Sequence, residues 1–286
     1  MQSTFATLIL PTLLVILMFG LGMSLTFADF TRIIKYPKPI IIALICQMFF
    51  LPFCAFLIAI LFNLQPDYAV GLMIIASAPG GSSATLLSHL FKGDVALNIS
   101  LTAVNSVLAL FTMPLIVKFA VFNFFGNATD IAMPLDKIAQ VFTFVLAPAI
   151  AGMAVKRFLP AVAVKTEKPI KFGSIAIVVL LIGFITYSLS QKLPGYNDLP
   201  MIVLAALTFN IVSLLCGYYV PTFLGIKHKQ AIAIAMEIGI HNTTLSLFIA
   251  FTAMQMPTMA ILPAVYGVLM FFTTIGFGYI VSSKKA

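Results

Sequence analysis

The sequence predicts an all-α polytopic membrane protein with nine transmembrane helices, and three observations support this prediction. Hydrophobic residues make up 62% of the 286 residues. Charged residues make up only 8%, whereas soluble domains carry about 25%. The apolar residues form continuous runs of about 20 residues, the length at which a helix crosses a bilayer, and not the short alternating segments of a membrane β-barrel.

Nine apolar runs are long enough to cross a membrane. Their predicted bounds are 5–27, 39–63, 68–91, 95–118, 137–156, 171–191, 200–221, 230–255 and 258–282. Of the 16 Lys and Arg residues, 13 fall in the odd-numbered loops and at the C-terminus, and 3 fall at the N-terminus or in the even-numbered loops. Because basic loops stay in the cytoplasm, we expect a protein of the cell (inner) membrane with its N-terminus outside and its C-terminus in the cytoplasm.

The net charge of +8 is explained by this topology. No basic run is interleaved with aromatic residues, so nucleic-acid binding is not expected. The three cysteines all lie in apolar runs, where they are expected to be small buried hydrophobic residues, with no role in a disulfide framework or a metal site.

The eighth predicted span contains Glu237, the one acidic residue that lies well inside any span. A charge at the bilayer centre costs at least ~2.5–3.5 kcal/mol, so it persists where it has a partner or a wet cavity. Gly239 and the polar run 241–244 follow it and weaken the helix. A carboxylate beside a helix break predicts a cation site at mid-membrane depth.

The third predicted span contains Pro79, Gly80 and Gly81, which should also break a helix. Proline removes a backbone donor and clashes with the preceding turn, and glycine frees the backbone. In lipid, such irregular backbone is tolerated only where it is buried in protein or lines a cavity. We therefore predict breaks at 79–83 and 238–242.

The two broken spans are five apart in the chain, so they cross the membrane in opposite senses. This is typical of an inverted-topology repeat with two discontinuous crossing helices. The predicted units are a first repeat at 1–125 (spans 1–4), span 5 and its connection at 126–165, and a second repeat at 166–286 (spans 6–9). Unpaired carbonyls at such a crossing can bind a cation and helix N-termini can bind an anion. We therefore predict a secondary transporter that couples a cation, Na⁺ above all, to an organic anion.

Four motifs closely resemble the bile acid:sodium symporter family over nearly the whole chain. They are Ala78–Thr85 (APGGSSAT), Lys92–Asn98 (KGDVALN), Glu237–Asn242 (EIGIHN) and the earlier Phe19–Thr26 (FGLGMSLT). The resemblance implies a core domain that holds the crossed helices, a panel domain that moves against it, and two Na⁺ sites. Bacterial members usually have ten helices, whereas this chain is expected to have nine, as the vertebrate members do.

Matched residue by residue, the resemblance also implies binding sites. The first Na⁺ site would use Thr85, Asn98, Thr102 and Glu237. The second would use Gln47, Glu237, His241 and the carbonyls of Ile238 and Ile240. The substrate would lie near Ser82, Ser83 and Asn242. Two positions depart from the family pattern, since Ala84 replaces a serine and His241 replaces a glutamine.

The expected function is Na⁺-coupled symport of an organic anion, either a bile acid or a small carboxylate such as pantoate or pantothenate. The alternative is a proton-coupled carrier of the same fold that uses Glu237 and His241, because imidazole is a poor Na⁺ ligand and titrates near neutral pH. An intramembrane hydrolase would need a second acid or a metal-ligand cluster within the spans, so no enzyme is expected. Beyond Na⁺, the substrate and the lipid bilayer, no cofactor, nucleic acid or obligate protein partner is predicted.

Overall fold

The computed structural model describes residues 8–126, 135–163, 165–166 and 198–283. Every regular element within these ranges is a helix. The sixth predicted span, 171–191, lies outside the described residues, so the count of nine transmembrane helices stays a prediction.

The described helices follow the apolar runs of the sequence. In chain order they are α1 (Leu10–Ser24), α2 (Phe27–Lys35), α3 (Pro37–Ile45), α4 (Leu51–Leu61), α5 (Pro66–Ser77), α6 (Ser82–Leu90), α7 (Val95–Phe125), α8 (Leu135–Phe158), α9 (Leu199–Phe223), α10 (His228–Gly239), α11 (Thr243–Phe248) and α12 (Ile261–Ser282). A π-helical turn, Cys46–Phe50, joins α3 to α4 without a break, and a second one, Ile249–Ala253, extends α11.

Five helical stretches in the described part of the chain are long and apolar enough to cross a membrane. They are Pro37–Leu61, Val95–Phe125, Ala139–Phe158, Leu199–Phe223 and Pro257–Ser282. Shorter apolar helices occupy Leu10–Ser24, Pro66–Ser77 and Thr243–Ala253. The protein is therefore a multi-pass α-helical membrane protein.

Side-chain caps fix where several helices begin. The carboxylate of Asp94 accepts a hydrogen bond from the Leu97 N–H at 3.0 Å and caps α7, which then runs for 31 residues through Pro114. Thr26 and Asp29 form a reciprocal capping box at the start of α2. Such caps satisfy backbone donors that have no partner inside the helix.

The two interrupted segments form the centre of the molecule. Every residue from Tyr68 to Ser77 in α5 is buried, as is every residue from Ala231 to Gly239 in α10. Helix α5 packs against α4 and α7, whereas α10 packs against α9, α6 and α7. Pro79, Gly80, Ile240 and His241, which follow these helices, are buried as well, so both interruptions occur in the protein interior.

Helices α1 and α8 form a pair that packs mainly within itself. Gly22 of α1 lies against the backbone of Ala149, and Gly152 of α8 lies against the backbone of Phe19 and Met23. Small residues allow membrane helices to approach this closely. The α1–α8 pair therefore makes most of its contacts within itself and fewer with the helices that surround the two breaks.

Candidate functional site

The third predicted span is interrupted between α5 and α6. Helix α5 ends at Ser77 and α6 begins at Ser82. Ala78 is extended, with φ −71° and ψ 141°, because the proline ring of Pro79 disfavours helical backbone at the preceding residue. Ala78, Pro79, Gly80 and Gly81 thus form the nonhelical link.

The eighth predicted span is interrupted between α10 and α11. Helix α10 ends at Gly239, and Ile240 is extended with φ −108° and ψ 97°. Asn242 begins the next helix, and its side chain accepts a hydrogen bond from the Leu245 N–H at 3.0 Å. Asparagine is among the best residues for this capping role.

The two links pair with each other as a short antiparallel bridge between Gly80 and His241. The Gly81 N–H donates to the Ile240 carbonyl at 3.3 Å, and the Asn242 N–H donates to the Pro79 carbonyl at 2.8 Å. Unpaired backbone groups away from water cost several kcal/mol each. Each break therefore supplies hydrogen-bond partners for the other.

Glu237 lies beside this crossing, and only 1% of its surface is exposed. The Thr102 hydroxyl donates to its Oε2 at 2.6 Å. Gly80 lies directly against the carboxylate, and its N–H and the Asn105 side chain lie close enough to interact with it. Neither makes a hydrogen bond of good geometry to Oε1, which has no such partner among the described residues. A buried carboxylate oxygen without a partner is costly, so this position favours a bound cation.

Asn98 connects three helices next to Glu237. Its amide nitrogen donates to the Ala233 carbonyl of α10 at 2.9 Å, and its amide oxygen accepts from the Thr85 hydroxyl of α6 at 2.7 Å. The Thr102 hydroxyl lies 3.1 Å from the Asn98 carbonyl. The structure thus brings together the residues predicted for the first Na⁺ site, while the neighbouring Ala84 is fully buried and offers no side-chain oxygen.

Gln47 approaches the same region from the π-helical turn Cys46–Phe50. Its amide nitrogen donates to the Ala78 carbonyl at 2.9 Å, at the point where α5 ends. Its Oε1 is buried and has no partner among the described residues. π-Helical turns frequently occur at functional sites, and here a residue of such a turn caps the last carbonyl before the break.

His241 is 1% exposed, and its Nδ1 lies 2.9 Å from the Tyr266 hydroxyl. That hydroxyl donates to the Gly239 carbonyl at 3.0 Å, so its single proton is engaged. We therefore assign the proton of neutral His241 to Nδ1, which leaves a lone pair on Nε2. Nε2 has no partner within the described ranges.

Asn210 and Tyr266 hold the end of α10, and sequence reasoning did not identify either residue. The Asn210 amide nitrogen donates to the Gly239 carbonyl and to the Tyr266 hydroxyl, both at 2.7 Å. The Thr273 hydroxyl donates to the Asn210 oxygen. Asn210 is a polar residue inside an apolar run, which is the one sequence signal that could have indicated it.

The predicted substrate residues flank the crossing. Ser82 begins α6, Ser83 is half-buried on its first turn, and Asn242 is half-buried at the start of α11. Ile238 is buried within α10, and the Ile240 carbonyl already accepts the Gly81 N–H. A carbonyl has two lone pairs, so this bond leaves one lone pair of Ile240 for a ligand.

The potential cation ligands around Glu237 are mostly oxygen atoms, and the formal charge among them is that of the carboxylate itself. In the part of the chain that the structure describes, no group of three or more His, Cys, Asp and Glu side chains could hold a metal ion. Hydroxyl, amide and carboxylate oxygens suit hard cations, whereas transition metals prefer nitrogen and sulfur. The arrangement therefore fits a hard monovalent cation.

A multi-pass protein in which two interrupted helices cross beside one buried carboxylate has the architecture of a membrane transporter. A family model described as the Sodium Bile acid symporter family matches residues 11–193. The chain belongs to this family, and it is a transporter and not an enzyme. The predicted resemblance is thereby confirmed.

Relatives from distant organisms support the same assignment. The chain is 27% identical over 289 residues to the human ileal sodium/bile acid cotransporter, covering 99% of this chain and 81% of that protein. It is 27% identical over 253 residues to the uncharacterized sodium-dependent transporter YocS of Bacillus subtilis, covering 88% of this chain and 76% of YocS. It is 28% identical over 243 residues to the probable chloroplastic sodium/metabolite cotransporter BASS1 of Arabidopsis thaliana, covering 83% of this chain and 57% of that protein.

Proposed function

We propose that this protein is a secondary transporter that couples Na⁺ to the symport of an organic anion by alternating access. The observation that carries this proposal is the buried carboxylate of Glu237 beside the crossing of two broken helices, where Oε1 has no partner with hydrogen-bond geometry among the described residues. Membership of the Sodium Bile acid symporter family and relatives named as sodium-dependent transporters support Na⁺ as the coupling ion.

The first cation site consists of Glu237, Thr102, Asn98 and Thr85. Thr102 and Asn98 belong to α7, Thr85 belongs to α6, and Glu237 belongs to α10. A cation that neutralises Glu237 draws these helices together and removes the cost of a buried negative charge. The second cation site consists of His241, the carbonyls of Ile238 and Ile240, and the Gln47 side-chain oxygen, which has no hydrogen-bond partner within the described ranges.

Cation binding prepares the anion site in this mechanism. Helix α6 begins at Ser82 and α11 begins at Thr243, so both helices present their N-terminal ends next to the crossing. Helix N-termini favour an anion. Ser82, Ser83 and Asn242 add polar groups, which suit the carboxylate of a bile acid, of pantoate or of pantothenate.

We propose that the chain is organised into the two repeats and the connection that the sequence predicts. Two inverted repeats, at 1–125 and 166–286, would each contribute one broken helix, and 126–165 would connect them. The α1–α8 pair would belong to the panel domain, and the helices around the crossing would form the core. The N-terminus would lie outside the cell and the C-terminus in the cytoplasm.

Ion binding can be tested without knowing the substrate. We expect Na⁺, and not K⁺ at equal concentration, to raise the melting temperature of the purified protein, since a ligand that binds only the folded state stabilises it. Glu237→Gln should abolish this shift. Asp67→Asn is the matched control. Asp67 lies at the start of α5, where its carboxylate accepts a hydrogen bond from the exposed Thr258 hydroxyl and takes no part in the proposed cation sites. A Na⁺ shift that persists in Glu237→Gln would contradict the proposal.

The substrate and the coupling ion are then tested together. Taurocholate, pantoate, pantothenate and a 2-keto acid are screened for a Na⁺-dependent thermal shift, and uptake of the best acid is measured in liposomes. We expect an inward Na⁺ gradient to drive uptake. The proton-coupled alternative has one specific observation in its favour: the Nε2 of the His241 imidazole has no partner among the described residues. It predicts uptake driven by a pH gradient without Na⁺.

A further inference from the structure

A basic and apolar surface lies where α1, α2 and α8 meet. We call it the basic rim, and it consists of Phe27, Lys156, Arg157, Phe158 and Lys165. The Lys156 ammonium donates to the Ser24 carbonyl at 2.6 Å and so connects α8 to the end of α1. Thr166 contacts Met23, which places Lys165 at the same end of the helix pair.

Arg157 lies at the centre of the basic rim. Its guanidinium carbon is 5.5 Å from the ring centre of Phe27 and 5.7 Å from that of Phe158. The two rings hold the guanidinium by cation–π contacts. Because these contacts use the face of the group, its N–H edge can still bind a phosphate in a bidentate manner.

Among the described residues, no carboxylate neutralises the positive charge of the basic rim. The described acid that lies nearby in the chain is Asp29, whose oxygens accept from Thr26 and from Arg32. The Arg32–Asp29 pair is the one salt bridge in the described ranges. Lys156, Arg157 and Lys165 therefore have no carboxylate partner within these ranges.

The apolar part of this surface indicates the source of the phosphate. Phe27 is 63% exposed, Ile34 is 83% exposed and Phe158 is 74% exposed. Helix α2, which carries Phe27 and Ile34, places its apolar residues on one side and Arg32 and Lys35 on another. Amphipathic helices of this kind lie at the boundary between headgroups and hydrocarbon. A free phosphate ion would leave these apolar side chains in water, whereas a lipid covers them.

We propose that the basic rim binds the headgroup phosphate of an anionic phospholipid, with Arg157 as the central contact and the acyl chains against Phe27 and Phe158. This lipid site is separate from the proposed cation sites at Glu237. Because α1 packs mainly on α8, the lipid would anchor this helix pair at the membrane surface while the remaining helices move.

Native mass spectrometry of the full chain in detergent tests the proposal. The probes are phosphatidylglycerol, phosphatidylcholine with the same acyl chains, and inorganic phosphate. We expect tight binding of phosphatidylglycerol only, with no competition from phosphate. Arg157→Gln should weaken this binding about fivefold, since one basic residue near the surface contributes roughly 1 kcal/mol. Arg157→Lys keeps the charge but loses the bidentate N–H edge and the stacking on the two rings, so its binding should fall between that of Arg157→Gln and that of the unmodified protein.

The control is Lys118→Gln, which removes an exposed lysine from α7, far along the chain from the basic rim. This variant should bind phosphatidylglycerol like the unmodified protein. Equal binding of the two lipids by the unmodified protein would overturn the proposal. So would unchanged binding in Arg157→Gln, or equal losses in Arg157→Gln and Lys118→Gln. Competition by inorganic phosphate would also overturn it, because the site would then be a plain anion site.

Discussion

Replacing Gly80 by alanine tests whether the close approach of the crossing backbone positions the Glu237 carboxylate for cation binding. The added Cβ would overlap Oε1 and Cδ of the Glu237 carboxylate and lie 2.6 Å from its Oε2. Optimal carbon contacts are about 3.5–4.0 Å, so the carboxylate must withdraw by at least about 1 Å. The backbone at Gly80 lies outside the left-handed region, and alanine therefore adds no backbone strain there.

The size of the effect follows from the bond that the withdrawal breaks. The Thr102 hydroxyl donates to Oε2 at 2.6 Å, and an extra 1 Å exceeds the range of a hydrogen bond. A hydrogen bond to a charged group contributes about 1.5–3 kcal/mol. We therefore expect the Na⁺ concentration for half-maximal response to rise about ten- to a hundredfold.

Sodium titrations of the thermal shift and of liposome uptake would measure this change. Gly81→Ala is the matched control, because a Cβ on Gly81 meets nothing within 4 Å. We expect Gly81→Ala to keep the Na⁺ response of the unmodified protein. An unchanged Na⁺ response in Gly80→Ala, or the same loss in both variants, would refute the steric argument.

Three further predictions concern Glu237 and residues that hold the end of α10. Thr102→Val keeps the shape of the side chain but removes the donor to Glu237, so the apparent Na⁺ affinity should fall about tenfold. Thr102→Ser keeps the hydroxyl and should keep the affinity. Equal affinities of the two variants in Na⁺ titrations would contradict this role. Tyr266→Phe removes the hydroxyl that donates to the Gly239 carbonyl, and it should destabilise the protein by about 1–3 kcal/mol in thermal unfolding. Tyr279→Phe, at a residue 64% exposed, should leave the melting temperature unchanged, and a similar loss in both would count against the Tyr266 assignment. Glu237→Ala should insert into the membrane yet show no Na⁺-driven uptake, and retained uptake would remove the carboxylate from the mechanism.

Local sequence signals predicted that both apolar runs are interrupted, but the predicted bounds of 79–83 and 238–242 were wrong by one or two residues. The nonhelical links are 78–81 and 240–242, because Ser82 and Ser83 already belong to α6 and Ile238 and Gly239 still belong to α10. Pro79 and the two glycines after it break an apolar run, and this chemistry acts on adjacent residues whatever the rest of the fold does.

The observed helix bounds differ slightly from the predicted ones: α7 extends to Phe125, seven residues past the predicted end of its span. Pro114 does not end it, because a proline inside a long membrane helix can be accommodated.

Partners that are distant in the sequence were not predictable. Asn210 and Tyr266 meet at the Gly239 carbonyl, yet nothing near either residue distinguishes it from other polar groups in apolar helices. The pairing of Gly80 with His241 likewise depends on how two helices cross. The ligand roles of Thr85, Asn98, Thr102 and Gln47 remain predictions, although the structure places hydrogen-bonding atoms of each near the crossing.

The reciprocal backbone bonds between the two links restrict how this protein can change shape. Separating α5–α6 from α10–α11 would expose the N–H groups of Gly81 and Asn242 and the carbonyls that accept from them. In a hydrocarbon environment nothing would replace those partners, so separation would be heavily penalised. The four half-helices are therefore expected to travel as one rigid unit, and any sliding surface that opens a path across the bilayer must lie at the periphery of that unit.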